Sequence, residues 1–353
     1  MITPVMQEDF QEIISEFSSK LSTLSGKTIL LTGASGLIAS YLLDIISIHN
    51  QQLENPIKII AITKNPIIED SRLSHLIKDK NISFITQDIG KPFNIPGKPN
   101  IIIHAASRAN PSAFLEDPID TIDSNINGTR TILEYAAKNP IEQFIFFSSA
   151  EIYGNPVAPF LPTPETYYGN VDCNHPFACY LESKRMAETL CMTFSRKHNV
   201  PVRILRILLA YGPGIKNDGK VISDFFYKLK ENGEISLRDK GDARRSFCYI
   251  SDTIRAILKI IFEGENGEAY NIGNDMETEN LSIYELAELV IKISEKNTLV
   301  KPNFDTPPKE IYGMNNRLLN INKLRSLGFS PKISLEEGLK RLRRYYLEAG
   351  FLK

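Results

Sequence analysis

From Lys27 onward the chain alternates two kinds of hydrophobic pattern. Short, nearly continuous apolar runs ("KTILLTG", "IKIIAIT", "ISFITQDI", "NIIIHAA" and "EQFIFFSS") are separated by longer segments whose apolar residues recur three and four positions apart. Runs of that length, rich in β-branched and aromatic residues, predict strands buried on both faces, and the longer period predicts helices between them. "LIASYLLDIISIHN" at 37–50 is one such helix and 117–138 another, and "VPVRILRILLAYGPG" supplies a sixth strand ending at a Gly/Pro break. Strand and helix in alternation predict the α/β class, with a doubly wound parallel sheet.

The rhythm differs at both ends. Thr3–Leu24 predicts an added helix, with Pro4 in its first turn and Phe10, Ile13, Ile14, Phe17 and Leu21 at helical spacing. Beyond Tyr211 the pattern loosens into helices near 221–230, 251–262, 282–293 and 334–348, joined by short strands and turns. This predicts three regions: a helical extension at 1–25, a nucleotide-binding sheet domain mainly at 26–210, and a smaller substrate-binding lobe mainly at 211–353. "RLRRYY" near the C-terminus reads as a short solvated helix face.

Composition narrows the function classes. The 353 residues are 42% hydrophobic and 24% charged with a net charge of −1, which gives no general drive toward nucleic acid or an anionic membrane. No apolar run approaches the roughly 18 residues of a membrane span. The four cysteines show neither CxxC spacing nor a neighbouring His cluster, so no metal site is expected and a reducing cytoplasm is.

Three constellations carry chemistry. "TGASGLIAS" lies between a predicted strand and helix: Gly33 allows a tight turn, Gly36 lets backbone approach a pyrophosphate, and Ala39 permits close packing. In that context it predicts a dinucleotide-binding (Rossmann) sheet rather than a plain turn. The acid that would receive the ribose hydroxyls of NAD after the second strand is missing, because Thr63-Lys64-Asn65 stand there. Lys64 is either a receptor for the 2′-phosphate of NADP or an exposed loop lysine. Asp88-Ile89 fall where an adenine would be gripped.

The second constellation, "FFSSAEIYG", delivers Ser148, Ser149 and Glu151 to a strand's C-terminal end, where open α/β sheets bind ligands. In the third, "ACYLESKRMAETL", Tyr180 and Lys184 lie four apart on one helical face. About one such pair is expected by chance, so its weight comes from the other two. A phenol titrates near 10. A lysine one turn away and a cationic nicotinamide favour tyrosinate, with a serine hydroxyl sharing the substrate oxygen.

With these residues in place the chain resembles the extended short-chain dehydrogenase/reductase family. "TGASGLIA", "IIIHAAS", "SNINGT", "FFSSAEIYG", "YLESK", "AYGPG", "RRSFCYISD" and "YNIGN" fall in family order over roughly residues 26–345. Within it the chain looks most like the nucleotide-sugar epimerases, dehydratases and decarboxylases, above all the UDP-glucuronate decarboxylases, through "NDGKVISDF", "ARRSFCYISD" and "SLEEGL" as well. The resemblance implies a bound NAD, with NADP still open. It places Gly33, Ser35, Gly36, Leu37, Ile38, Thr63, Lys64, Asp88, Ile89, Ala105, Ala106, Ser107, Asn125, Tyr180 and Lys184 against the cofactor. Catalysis falls to Tyr180, Lys184, Ser149 and Glu151. Ser149, Glu151, Lys220, Val221 and Arg245 meet a nucleotide-sugar substrate, favoured as a UDP-sugar. A homodimer through the helices at 117–138 and around Tyr180 is implied too, as is a role in polysaccharide synthesis.

The implied reaction oxidises the sugar at C4, changes the resulting 4-keto sugar, and returns the hydrogen, so no net redox change occurs. Three positions depart from the decarboxylase pattern: Ala150 for a serine, Phe177 for an arginine, and Leu209 for an asparagine. The Ser149-Ala150 pair resembles the 4-epimerases, whereas Glu151 does not. A 4-epimerase or dehydratase is therefore the alternative outcome. An NADPH-dependent 4-keto-sugar reductase draws on Lys64, and a non-catalytic dinucleotide-binding scaffold is the remaining class.

Overall fold

The computed structural model describes residues 2–69, 71–214, 219–304 and 316–352. The helices are α1 Pro4–Ser22, α2 Leu37–Asn50, α3 Pro111–Glu116, α4 Pro118–Lys138, α5 Ala178–His198, α6 Val221–Asn232, α7 Ile250–Glu263, α8 Ile283–Ile293, α9 Asn322–Ser326 and α10 Leu335–Glu348. The first six strands are β1 Thr28–Thr32, β2 Lys58–Thr63, β3 Ile82–Thr86, β4 Ile101–His104, β5 Gln143–Ser149 and β6 Val202–Ile207. Then follow β7 Ala210–Tyr211, β8 Ile235–Ser236, β9 Arg244–Arg245, β10 Cys248–Tyr249, β11 Glu268–Ile272, β12 Leu281–Ser282, β13 Val300–Lys301 and β14 Asn316–Arg317.

Seven strands form one parallel sheet in the order β11-β6-β5-β4-β1-β2-β3. The order reverses beside β1, and at such a switch point the strand ends open a crevice. Burial explains the apolar runs: β4 and β5 are covered on both faces by two separate apolar layers. One layer holds α1, α2 and α7, and the other α4 and α5. The six expected strands are present, but β11 is a seventh. It brings residues 268–272 back from the C-terminal region to pair beside β6 (Glu268↔Arg203 to Ile272↔Ile207). The C-terminal part thus contributes α7 and β11 to the main body as well as forming the small sheet β12-β9-β14.

α1 begins at Pro4 after an extended Thr3 and packs on α2, α7 and α10. Its inward stripe carries Asp9, which is fully buried and accepts hydrogen bonds from Tyr249 Oη (2.8 Å) and Arg341 (2.7 Å). The expectation that "RLRRYY" is solvated is corrected here. Leu342, Tyr345 and Tyr346 are buried, while Arg341 and Arg344 pair with Asp9 and Glu8 of α1. The face is amphipathic, and the extension covers its apolar side.

Candidate active site

Gly33, at φ +67°, ends β1 in the left-handed region. A Cβ there would stand 2.6 Å from Ala106 Cα, so only glycine lets the turn pass the backbone after β4. Gly36 caps α2 and has no side chain to satisfy the first-turn amides of Leu37 and Ile38. Exposed donors at a helix N-terminus, in a groove that glycine keeps open, fit a pyrophosphate. Ser35 is exposed beside them, and Ala105 and Ala106 form the opposite wall, Ala106 N–H donating to Thr32 Oγ1 at 3.2 Å.

The remaining cofactor candidates are tied to the helix that carries Tyr180. Ser107 Oγ donates to Asn125 Oδ1 (2.8 Å), Asn125 Nδ2 to Ser183 Oγ (2.8 Å), and Ser183 Oγ to the Tyr180 carbonyl (3.0 Å). This buried chain fixes α4 against α5 and both against the end of β4. Beneath it His104 bridges Thr32 Oγ1 (2.7 Å) and Thr129 Oγ1 (3.0 Å). Burial first, and the Lys184 charge second, push its pKa down to about 3, so the ring is neutral.

At the adenosine end Thr63 is buried, its hydroxyl donating to the Asn65 carbonyl at 2.8 Å. Ile89 packs under α4 against Gly128. Lys64 is not a solitary loop lysine: its ammonium lies 2.8 Å from Asp120 Oδ2 and 3.2 Å from Asp88 Oδ2.

Ser149 ends β5 and accepts the Glu151 N–H at 3.2 Å, which leaves its own proton to donate. It lies close enough to the Tyr180 phenol for its hydroxyl to favour the ionised form. Tyr180 is 6% exposed and stacks on Phe114 with centroids 5.1 Å apart. Lys184 is equally deep, and its ammonium donates to the Phe147 carbonyl at 2.7 Å. Burial pushes Lys184 down to about 7, against the opposing pull of Cys191 and Glu188. Burial also raises the Tyr180 phenol above its usual 10, with the Ser149 hydroxyl acting the other way. A lysine one turn away and a cationic nicotinamide are together expected to favour tyrosinate; in the protein itself the desolvation of both groups dominates.

Glu151 follows in a single 3₁₀ turn, Ala150–Tyr153, and forms a two-point ion pair with Arg317. Arg317 (6% exposed) lies in β14 directly beside Arg245 in β9, whose guanidinium is lowered to about 10 by burial. One buried guanidinium, that of Arg317, thus holds the carboxylate at the strand end, with Arg245 its neighbour across the two strands. Arg317 was missed because "NNRLL" gives a single arginine in a two-residue strand. Ser148, Glu188 and Arg206 were missed as a group. Ser148 Oγ donates to Glu188 Oε1 (2.5 Å), Arg206 Nη2 to Glu188 Oε2 (2.8 Å), and Arg206 Nη1 to Tyr153 Oη (2.8 Å). Their only sequence signal was a glutamate one turn beyond Lys184.

Lys220 caps α6, which begins at Val221, and Lys220 shares a narrow cleft with Leu37, Tyr211 and Gly212. Asn217 and Asp218 of "NDGKVISDF" lie outside the described residues. Of the three departures, Phe177 meets Phe114 edge-on at 5.3 Å and extends the aromatic wall beside Tyr180, and Ala150 is buried next to Ser149.

Comparison with known proteins places the chain in a family. Residues 29–273 match the NAD dependent epimerase/dehydratase family. UDP-glucuronic acid decarboxylase 5 of Arabidopsis thaliana is 32% identical over 320 residues, 89% of this chain and 88% of that one. UDP-glucuronic acid decarboxylase 1 of Xenopus tropicalis is 28% identical over 350 residues, 97% of this chain and 78% of that one. Among solved structures, UDP-glucose 4-epimerase of Thermotoga maritima with UDP-glucose superposes with a TM-score of 0.75. It is 26% identical, covering 91% of this chain and 99% of that one.

Proposed function

The chain belongs to the NAD dependent epimerase/dehydratase family, and on that premise we propose that it converts a UDP-hexuronate, UDP-glucuronate first, by transient oxidation at C4 and loss of carbon dioxide. The observation that carries the reading is the buried Tyr180 beside Ser149, with Lys184 buried one turn behind, at the strand end beyond the Gly33–Gly36 turn. NAD supplies a reversible two-electron acceptor beside C4 when bound.

The residues then have distinct tasks. Tyr180 takes the proton of the sugar 4-hydroxyl, while Ser149 holds that oxygen and Lys184 stabilises the phenolate. A ketone at C4 makes the C5 carboxylate a β-keto acid, whose carbon–carbon bond breaks to give carbon dioxide and an enolate at C4–C5. Protonation at C5 and reversal at C4, with Tyr180 returning its proton, yield the pentose. Arg245 provides positive charge for the doubly anionic diphosphate, while Arg317 holds Glu151. On this reading Glu151 works at the sugar's C5 side. The relatives' names support the decarboxylation branch.

Ala150 and Phe177 favour a second reading. They make the wall beside Tyr180 apolar, and a 4-epimerase, which leaves the C5 carboxylate in place, needs no group there to act on it. One experiment separates the two: incubate the purified protein with UDP-glucuronate and no added reductant, and measure carbon dioxide. Stoichiometric release with a UDP-pentose product supports decarboxylation. A UDP-hexuronate epimer without gas supports the second reading, and a product formed only when NADPH is supplied in a parallel incubation would replace both with a reductase.

The proposal extends to a cytoplasmic homodimer in glycan-precursor synthesis. The four free cysteines are compatible with a reducing compartment, and the paired helices α4 and α5 leave Ile119 and Met186 exposed for a partner copy.

A further inference from the structure

The sequence leaves a question at the end of β2. The acid that takes ribose hydroxyls is absent, and Lys64 stands in its place. In the fold Lys64 meets carboxylates from two other elements. Asp88 follows β3, and Asp120 sits in the first turn of α4. Asp88 also accepts the Gly90 N–H at 3.0 Å, which sets its carboxylate. Arg108, after β4, grips Asp120 from the other side at 2.5 Å and reaches Asp117 at 3.8 Å. Asp117 caps α4 by accepting the Asp120 N–H. Three carboxylates thus face two cations just beyond the ends of β2, β3 and β4, on the same sheet edge as the Gly33–Gly36 turn.

Location gives the cluster a meaning. In a sheet with this turn the adenosine ribose lies over the end of β2. A 2′-phosphate would bring a charge of about −1.5 to −2 to that spot. To receive it, Lys64 would have to leave two carboxylates: Asp88 would then lose its cation and Asp120 would keep only Arg108, both beside the phosphate. Ribose hydroxyls carry no charge and find acceptors already in position.

We propose that Asp120, delivered from α4 and acting with Asp88, takes over the task of the missing acid: it holds Lys64 by an ion pair and selects NAD over NADP. This rests on the dinucleotide-binding reading above. It also removes the main support for an NADPH-dependent reductase, because the lysine that suggested one is already engaged.

Calorimetric titration of the full-length protein with NAD and with NADP tests it. The wild type is expected to bind NADP at least about 30-fold more weakly than NAD, as like-charge juxtaposition at a binding site implies. Asp120→Asn keeps the shape and removes the charge, and should narrow that ratio by about 5- to 10-fold. Lys64→Ala should leave the ratio unchanged or widen it. Equal affinities in the wild type would overturn the inference. So would an Asp120→Asn variant that weakens both dinucleotides alike, or a Lys64→Ala variant that selectively loses NADP. Failure of the wild type to bind either dinucleotide would overturn the dinucleotide reading itself, a separate and distinguishable result.

Discussion

Removing Glu188 should cost more stability than any single change on the protein's surface. Its side chain is 10% exposed and that of Arg206 is 14% exposed. Arg206 meets it through Nε at 3.1 Å and Nη2 at 2.8 Å, and its other nitrogen serves Tyr153 Oη and the Glu165 carbonyl. Burial alone would make the guanidinium easier to deprotonate, yet Glu188 more than reverses that, and its pKa stands above the usual arginine value. Glu188→Leu leaves this cation buried without a counter-charge, which costs about 3–5 kcal/mol. The Ser148 hydroxyl loses its acceptor as well, adding about 1 kcal/mol. Against a total stability of roughly 5–15 kcal/mol, this is a large fraction. Equilibrium urea unfolding followed by circular dichroism measures it, since the chain has no tryptophan. The double variant Glu188→Leu, Arg206→Met removes both charges together and should cost about 2 kcal/mol, less than the single change. A loss below about 1 kcal/mol for Glu188→Leu, or a double variant whose cost equals the sum of the singles, would refute the reasoning.

Two further outcomes follow from the same geometry. Tyr180→Phe removes the proton acceptor and should lower kcat by about 10²–10⁴-fold, while the calorimetric affinity for NAD changes by less than about threefold; full retained activity would contradict the assignment. His104 is neutral in the fold with a pKa of about 3, against 6.5 for an exposed histidine. Between those values the unfolded chain binds a proton that the native one refuses, so stability falls as pH drops from 6.5 toward 3. His104→Asn should therefore lose about 1.4 kcal/mol less per pH unit than the wild type in that window. A difference between the two that stays constant from pH 7 to 4 would be inconsistent with a buried neutral imidazole.

What the chain discloses before folding is what neighbouring residues decide. The glycine turn, the apolar strands, the long helices and the Tyr180–Lys184 spacing are local patterns, and each is found in the structure near its expected limits. β11 is not local: "EAYNI" is half polar, and only pairing with β6 makes it the seventh strand. Asp9 shows the same limit from the opposite side. Nothing around it in α1 announces that an acid on the apolar stripe will meet Tyr249 and Arg341, more than 200 residues away. There, burial raises its carboxyl to about 6 despite both partners. The site divides likewise. Ser149, Glu151, Tyr180 and Lys184 sit within motifs, whereas Arg317 and Asp120 matter only through what they touch across the fold.

On the proposed route oxidation and restoration occur at one sugar carbon, and a label placed on that carbon reports both. UDP-glucuronate carrying deuterium at C4 should give a product that keeps the deuterium at C4, with no reductant consumed and with turnover slowed relative to the unlabelled sugar. Loss of the label to solvent, or a product formed only as NADPH is used up, would contradict the account.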